Sequence, residues 1–459
     1  MVKERARILV VGGGYVGMYT ALRLQRKLKG ELRRGEAEIT VVTPDPYMTY
    51  QPFLPEAAAG SISPRHVVVP LRRVLDRCRV VIGEVQAVDH AARTATVTTL
   101  ATEEEGGDAW RLPYDELVLA PGSVSRALPV PGLADHGIGF KTVEEAIGLR
   151  NHVIEQMDIA SSTRDPALRD AALTFVFVGG GYAGVEALGE LEDMARYAAR
   201  YYHNVRPEDM KWILVEATDR ILPEVGEALG RYTVTELRRR NIDVRLRTRL
   251  ESCADRVAVL SDGSRFPTRT VVWTAGVRPH PLLAATDLPS TEHGRLTCTP
   301  QLTVEGAPHA WAAGDAAAVP DVTADRPGTD CAPNAQHALR QARVLGDNIV
   351  HALRGERLDT YAHRYAGSVA SLGFHQGVAQ VYGRRLKGYP AWFMHRAYHL
   401  SRVPTVNRKA RVLAEWTLAG LFKREIVSLG SLEHPRAEFE LAAGGKPSEE
   451  PPHNPKGSS

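Results

Sequence analysis

Cysteine is scarce in this 459-residue chain: Cys78, Cys253, Cys298 and Cys331 are all there is, and they stand far apart with no C-x-x-C pair. Such scatter argues against a disulfide framework and a zinc site, and fits a reducing compartment. The histidines lack ligand spacing, so no metal is expected. Long apolar runs are missing too. A transmembrane helix needs about 18 or more uncharged apolar residues, and the nearest candidate, VLAEWTLAGLF at 412–422, is too short and contains Glu415. Charge of one sign is not in excess either. With a formal net charge of +3, no long Lys/Arg block and no RNA-type aromatic motif, no nucleic-acid partner is expected. The opening MVKERARILVVGGG passes from charged residues into a strand without the apolar core or cleavage site of a signal peptide. A location in or facing the cytosol is therefore expected.

What is present is an ordinary globular composition, 44% hydrophobic and 24% charged, in a chain long enough for about two or three domains. Ile8 to Val11 form a β-branched run, followed by glycines, the helical pattern MYTALRLQRKL and a second strand, EITVVT, ending at Thr43. This is the βαβ opening of a doubly wound parallel sheet. Strand-like segments from Val80 to Thr99 suggest an antiparallel excursion, EEEGGDA at 103–109 reads as a turn, and YDELVLAPGS brings a buried strand ending at Gly122. From about Gly137 to Pro289 the same order recurs: the strand LTFVFV, a glycine turn, a long helix, the strand WILVEAT, an excursion and the closing strand TVVWTAG. Period and order match a duplicated dinucleotide fold. The expected division is 1–136 and 291–366 for the first nucleotide domain, 137–290 for the second, 367–434 for a C-terminal region and 435–459 for a disordered tail.

Each glycine turn has three constrained positions. The first (Gly12, Gly179) makes the tight turn, the second (Gly14, Gly181) lets a pyrophosphate approach the backbone, and the third (Gly17, Gly184) packs helix on strand. The phosphates would rest on free N–H groups at the helix start. A bare G-x-G-x-x-G is weak evidence; a strand before and a helix after each copy supply the confirming context. The second strand of the second unit ends at Glu216, a carboxylate able to accept both ribose hydroxyls and to repel a 2′-phosphate, which favours NADH over NADPH; Arg220 nearby argues the other way. The first unit has Thr43 there, with Asp45 two positions on. In WAAGDAAAV, a Gly-Asp opening a helix can aim Asp315 at the sugar-like chain of FAD, or can simply be an N-cap.

Taken together these residues resemble the two-dinucleotide-binding flavoproteins, and within them the type II NADH dehydrogenases, from about Arg7 to Leu432. YMTYQPFLPEAAAGSI is similar to that family's aromatic-Q-P-L-L segment, GGGYAGVEALGEL places Glu186 where the family has its glutamate, and CAPNAQHALRQA resembles P-x-x-A-Q-x-A-x-Q. The resemblance implies an α/β fold of two Rossmann-like domains with a C-terminal membrane-associating region. It implies non-covalent FAD at Gly12, Gly14, Gly17, Thr43, Gln51, Pro52, Val85, Ala120, Gly122, Gly314, Asp315, Ala335 and Gln336. NADH would lie at Gly179, Gly181, Tyr182, Gly184, Glu186, Glu216, Ala275 and Gly276. Glu186 and Gln336 would be catalytic, and a quinone (menaquinone or ubiquinone) would meet Gln336, Cys331 and His337. Thr43 departs from the acid common in the family, and the redox cysteine pairs of disulfide reductases and sulfide:quinone reductases have no counterpart.

As the resemblance further implies, NADH passes hydride to the flavin and two electrons then reach a membrane quinone, without proton pumping. Glu186 could orient nicotinamide or relay a proton, or serve only as a first-turn glutamate. For collecting quinone, Tyr389, Trp392, Phe393, Ala397 and Leu400 recur at helical spacing, with His395, Arg396, His399 and Arg402 on the other side. A second helix, RKARVLAEWTLAGLFKRE, is flanked by Arg408, Lys409, Arg411, Lys423 and Arg424. An aromatic-plus-basic pattern over about 389–424 suits the headgroup boundary on the cytoplasmic face of a cell membrane, and a homodimer through the same region is compatible with it. Two other readings remain open: a soluble reductase of a ferredoxin- or rubredoxin-type protein, and a slow redox-sensing flavoprotein.

Overall fold

The computed structural model describes residues 5–99, 109–324, 326, 328–364, 367–422 and 426. The turn expected at 103–109 and the tail expected at 435–459 therefore lie mostly or wholly outside the described residues, as do Lys423 and Arg424.

The first sheet starts from strand β1 (Ala6–Val11), whose last four residues are buried, as a strand covered on both faces requires. Helix α1 (Tyr15–Lys27) follows, then β2 (Ala37–Thr43), which pairs with β1 in parallel, Ile8 opposite Ile39 and Val10 opposite Val41. After a short helix α2 (Leu54–Ala58), β3 (Arg79–Asp89) pairs with β2 over its first four residues. It then runs on into an antiparallel meander with β4 (Thr94–Thr99) and β5 (Trp110–Pro113). The excursion is thus one edge of the main sheet. Strand β6 (Glu116–Leu119) lies on the other side of β1. It stops at Leu119, not Gly122, because Gly122 turns into the left-handed region at φ +77°.

The second sheet uses β7 (Gly137–Gly139), helix α3 (Val143–Ser162), β8 (Thr174–Val178), α4 (Tyr182–Ala198), β9 (Lys211–Val215), α5 (Glu227–Arg239), β10 (Ile242–Arg245) and β11 (Thr270–Trp273). Its strand order is β7-β11-β8-β9-β10, all parallel. Helix α3 begins on a capping box in which Thr142 accepts from Glu145 N and the Glu145 side chain answers Thr142 N. Phe175 stacks on Trp212 with ring centroids 4.3 Å apart, locking β8 to β9 on one face.

Strand β12 (Ala310–Ala312) returns the chain to the first sheet, completing the order β12-β6-β1-β2-β3-β4-β5. Gly314–Ala316 is a single 3-10 turn, not the start of a long helix; the long helix α6 (Ala335–Arg354) begins at Asn334, whose side chain accepts from His337 N at 2.9 Å. Beyond it stands a third sheet of β13 (Gly367–Ser371), β14 (Gly377–Val381) and β15 (Arg384–Lys387), antiparallel throughout. Helices α7 (Tyr389–Arg402) and α8 (Val406–Phe422) close the described chain. Among the described residues no helix is long and apolar enough to cross a membrane.

Candidate active site

Both glycine turns sit at the carboxyl end of a central parallel strand, where an open α/β sheet offers its crevice. Gly12 and Gly179 have φ of +101° and +117°, and a Cβ on either would strike the backbone of Ala120 or the Thr274–Ala275 junction. A Cβ on Gly17 or Gly184 would lie 1.8 or 2.0 Å from the carbonyl oxygen of Gly12 or Gly179. Folding alone demands these four glycines. At Gly14 and Gly181 nothing lies within 4 Å of such a Cβ, and their φ of −75° and −73° would suit any residue. No protein atom requires glycine there. The space left open faces the uncapped N-termini of α1 and α4, where orphan N–H groups and the helix dipole favour a phosphate. The chain thus fits a dinucleotide at each turn.

The strands beside these turns end differently. Glu216 accepts from Gly180 N at 2.6 Å and from Thr218 N at 2.7 Å, so its carboxylate is held at the lip of the second cradle. Thr43 is buried behind Gly13 in the first. Asp45 lies outside, its carboxyl raised by burial and then by Glu144. Val85, three residues beyond Ile82 in β3, and Ala120 stand past the same carboxyl edge of the sheet. Asp315 accepts from the Ser123 hydroxyl at 2.6 Å, and Lys141 Nζ donates to that hydroxyl at 2.7 Å. Burial lowers the Lys141 ammonium pKa, against the pull of Asp315 and Glu145. This Asp315–Ser123–Lys141 chain is not an N-cap. Ser123 and Lys141 escaped the sequence reading because no motif spans their separation of 18 positions.

Strand β13 joins the two halves. Its first carbonyl, Gly367 O, accepts from Gln336 Nε2 at 2.9 Å, and its last N–H, from Ser371, donates to Glu186 Oε1 at 2.9 Å. At about 3.3 Å per residue this places the two contacts roughly 13 Å apart along one strand. The Ser371 hydroxyl donates to Glu190 Oε1 at 2.8 Å. Both glutamates are buried on α4, and their i, i+4 spacing on that helix was a signal the motif reading passed over. Gln341, five residues beyond Gln336 on α6, accepts from Gly314 N at 2.8 Å and so anchors the turn that carries Asp315. Cys331 and His337 turn inward, away from an exposed role. His337 Nδ1 lies 2.8 Å from the Tyr361 hydroxyl, and burial pushes the Cys331 thiol up to about 11. Gln51, at the start of the 3-10 turn Gln51–Phe53 that leads into α2, reaches Lys141 O at 3.5 Å, and Pro52 comes next to it beside buried Phe53.

Helix α7 overturns the expected division of its faces. His395 and Arg396, expected to face lipid headgroups, are buried at 1% and 7% exposure, while Phe393 stands 61% exposed. The reason is long-range pairing. His395 Nε2 lies 3.2 Å from Glu186 Oε1, at ion-pair distance although off the hydrogen-bond line. Arg396 lies 3.3 Å from Glu56, itself 1% exposed, and its guanidinium sits over Trp392 and Trp416 at 4.2 and 4.8 Å. Trp416 Nε1 donates to Glu56 Oε2 at 2.7 Å, and Ser63 N to Glu415 Oε2 at 2.7 Å, so α8 is fastened to α2 and the loop after it. The outward side of α8 is apolar, with Val406, Leu413, Leu418, Leu421 and Phe422 all exposed. The four cysteines are free, and among the described residues no cluster suited to a metal ion occurs.

Two Rossmann-like sheets, each with an open phosphate cradle, define a two-dinucleotide oxidoreductase without a redox disulfide. The chain belongs to the pyridine nucleotide-disulphide oxidoreductase family, which it matches over residues 4–342, and within it to the type II NADH:quinone oxidoreductases. It is 30% identical over 401 residues to the type II NADH:quinone oxidoreductase of Staphylococcus aureus (strain NCTC 8325 / PS 47), covering 86% of this chain and 94% of that protein. To the enzyme NdhA of Mycobacterium tuberculosis it is 29% identical over 439 residues, covering 90% and 87%. The solved structure of NDH2 from Plasmodium falciparum in complex with NADH shares the fold, with a TM-score of 0.83 at 15% identity over 92% of this chain and 100% of that one.

Proposed function

We infer that this chain oxidises NADH and reduces a quinone through non-covalently held FAD. The observation that carries the reading is the pair of cradles whose second glycines, Gly14 and Gly181, are required by no protein atom. FAD, when bound, supplies hydride acceptance and two-electron return to an acceptor. What the chain supplies is placement. Gly12, Gly14 and Gly17 seat the FAD pyrophosphate, with Asp315, held by Ser123 and Lys141, set for its polyol chain. Thr43, Val85, Ala120, Gly122, Gln51, Pro52, Gly314 and Ala335 line the rest of that site. Gly179, Gly181 and Gly184 seat NADH, Glu216 accepts its adenosine ribose hydroxyls, and Tyr182, Ala275 and Gly276 line the approach to Glu186. A 2′-phosphate would meet the Glu216 charge, so NADPH is the poorer substrate.

Glu186 and Gln336, tied to opposite ends of β13, bracket the reacting region. Gln336 is the quinone contact, and Cys331 and His337 stand behind it as packing. The outward apolar side of α8, with Phe393 and Tyr389 of α7, suits a cytoplasmic membrane surface from which a long-tailed quinone, menaquinone or ubiquinone, is collected. A homodimer would use the same region.

The test is NADH oxidation by the purified yellow protein with and without a short-chain quinone, with NADPH in parallel. Fast quinone-dependent NADH oxidation with little NADPH activity is expected. FAD that NADH bleaches and quinone cannot restore would instead point to a protein acceptor.

A further inference from the structure

An open α/β sheet binds its ligands beyond the carboxyl ends of its strands, and both glycine turns obey that rule. The opposite edge of the first sheet carries a different feature. At the amino ends of β2 and β3 lies a cavity of about 390 Å³, within the size range of small-molecule sites. Ala37 and Ile39, buried at the start of β2, give it an apolar wall, and Arg5, Arg33, Arg77 and Arg79 line the rest with only two carboxylates, Glu38 and Asp76. That is an excess of two positive charges around one cavity, in a chain whose formal net charge is only +3. A surface that serves solubility alone intersperses the two signs.

The four arginines are not equally engaged. Arg5 is held by Glu38 at 3.2 Å, and Arg79 lies over the Trp110 ring at 5.4 Å. Arg33 and Arg77 are exposed, and their side chains make no ion pair or hydrogen bond among the described residues. Cys78, in the same wall, adds no negative charge: its thiol donates to Gln25 Oε1 at 3.5 Å, and burial, then Asp76, push its pKa up to about 12. The cavity is remote from both cradles. Strand β2 carries seven residues from Ala37 to Thr43, so about 20 Å of strand separates it from the first glycine turn. On its other flank the basic surface continues toward α8, where burial, then Arg411 and Arg73, lower the Arg408 pKa.

We propose that this cavity binds a small phosphate ester of two or more negative charges, either free in solution or as the headgroup of an anionic phospholipid. A guanidinium meets phosphate oxygens through two parallel N–H donors, and Arg33 and Arg77 are the pair left to do so. The charge excess sets the charge of the ligand. The volume and the apolar wall leave room for the body of an ester, which a bare ion would not fill. The proposal is independent of the NADH:quinone reading, because no residue of the cavity belongs to either cradle.

The test is titration calorimetry on the FAD-loaded protein and its Arg33→Gln/Arg77→Gln variant. Fructose 1,6-bisphosphate, which has no adenine to enter a cradle, probes for a free ester. Dihexanoyl phosphatidic acid below its micelle concentration probes for a lipid headgroup without a membrane surface. Inorganic phosphate is run in parallel, and each titration is repeated with saturating NADH. At least one ester should bind with a Kd below about 1 mM, regardless of NADH, and the double variant should weaken it about ten-fold or more; which ester binds identifies the source. FAD content and melting temperature should stay near wild type in the variant, since neither arginine has a partner to lose. Arg26→Gln/Arg34→Gln, which removes two charges outside the cavity, should bind like wild type. No saturable binding of either ester, an unchanged affinity in the cavity variant, or an equal loss in the outside variant overturns the proposal. So does displacement by NADH, which would place the ester in the second cradle, or inorganic phosphate binding as tightly as the esters, which would mean an adventitious ion only.

Discussion

Removing the Arg396 guanidinium isolates one buried charge. In Arg396→Met the stem keeps much of its volume, so packing beside Trp392 and Trp416 is largely retained. What is lost is the cation that faces Glu56 at 3.3 Å and the two stacks at 4.2 and 4.8 Å. Glu56 is 1% exposed, and after the change only Trp416 Nε1 is left to balance its Oε2, while Oε1 has no partner among the described residues. Breaking a buried pair from one side costs about 3–5 kcal/mol, and the stacks contribute roughly 0.5–2 kcal/mol each. The loss falls on the docking of α8 against α2, so amide exchange in α8 should speed up by about 100- to 1,000-fold at roughly 1.4 kcal/mol per decade. Thermal melting and limited proteolysis after Arg402 give independent readings. Pairing the change with Glu56→Gln removes the stranded charge, and the double variant should recover at least about 2 kcal/mol relative to the sum of the single losses. Strict additivity, or an Arg396→Met loss below about 1 kcal/mol, would refute this account of what fastens the C-terminal helices.

Gly181→Val should leave FAD content and melting temperature near wild type, because its Cβ meets nothing within 4 Å, yet raise the KM for NADH about ten-fold or more by filling the pyrophosphate seat. Glu216→Gln should raise the KM for NADH and narrow the NADH-over-NADPH preference about ten-fold, read from kcat/KM for each nucleotide. His152, bonded to Thr270 Oγ1 at 2.9 Å, has its pKa lowered by burial to about 4. Between that value and about 6.5 the unfolded chain binds a proton that the folded one refuses, so stability falls as pH drops through this window, by about 3 kcal/mol at the acid end. His152→Gln should flatten that part of the denaturation-versus-pH curve. Leu413→Glu with Leu418→Glu should abolish cosedimentation with anionic vesicles while leaving NADH:ferricyanide activity intact; undiminished binding would show that α8 is not the docking face.

The two glycine turns, the paired parallel strands and Glu216 were legible in the sequence because each depends on neighbours a few residues away. A positive φ needs glycine, a strand buried on both faces needs a β-branched run, and Glu216 follows directly on its strand, one carboxylate oxygen held by Thr218 N two residues on. The helix expected at Gly314 failed for a related reason. The Gly-Asp pair does mark a turn, but the path of the chain beyond it is set by β12 joining the first sheet and by Gln341 reaching back from α6.

The tertiary structure alone decided which side of α7 is inside. Its sequence has an aromatic side and a basic side, and periodicity locates those stripes without saying which is buried. Glu56 and Glu186, more than 200 residues upstream, draw Arg396 and His395 inward and leave Phe393 outside. A cation can enter a low-dielectric interior only where an acid and aromatic faces await it, and no local pattern reports partners that distant. By itself the sequence determined two nucleotide cradles and the kind of chemistry they serve; the buried charges that tie the C-terminal helices to the reacting centre became visible only once the chain was folded.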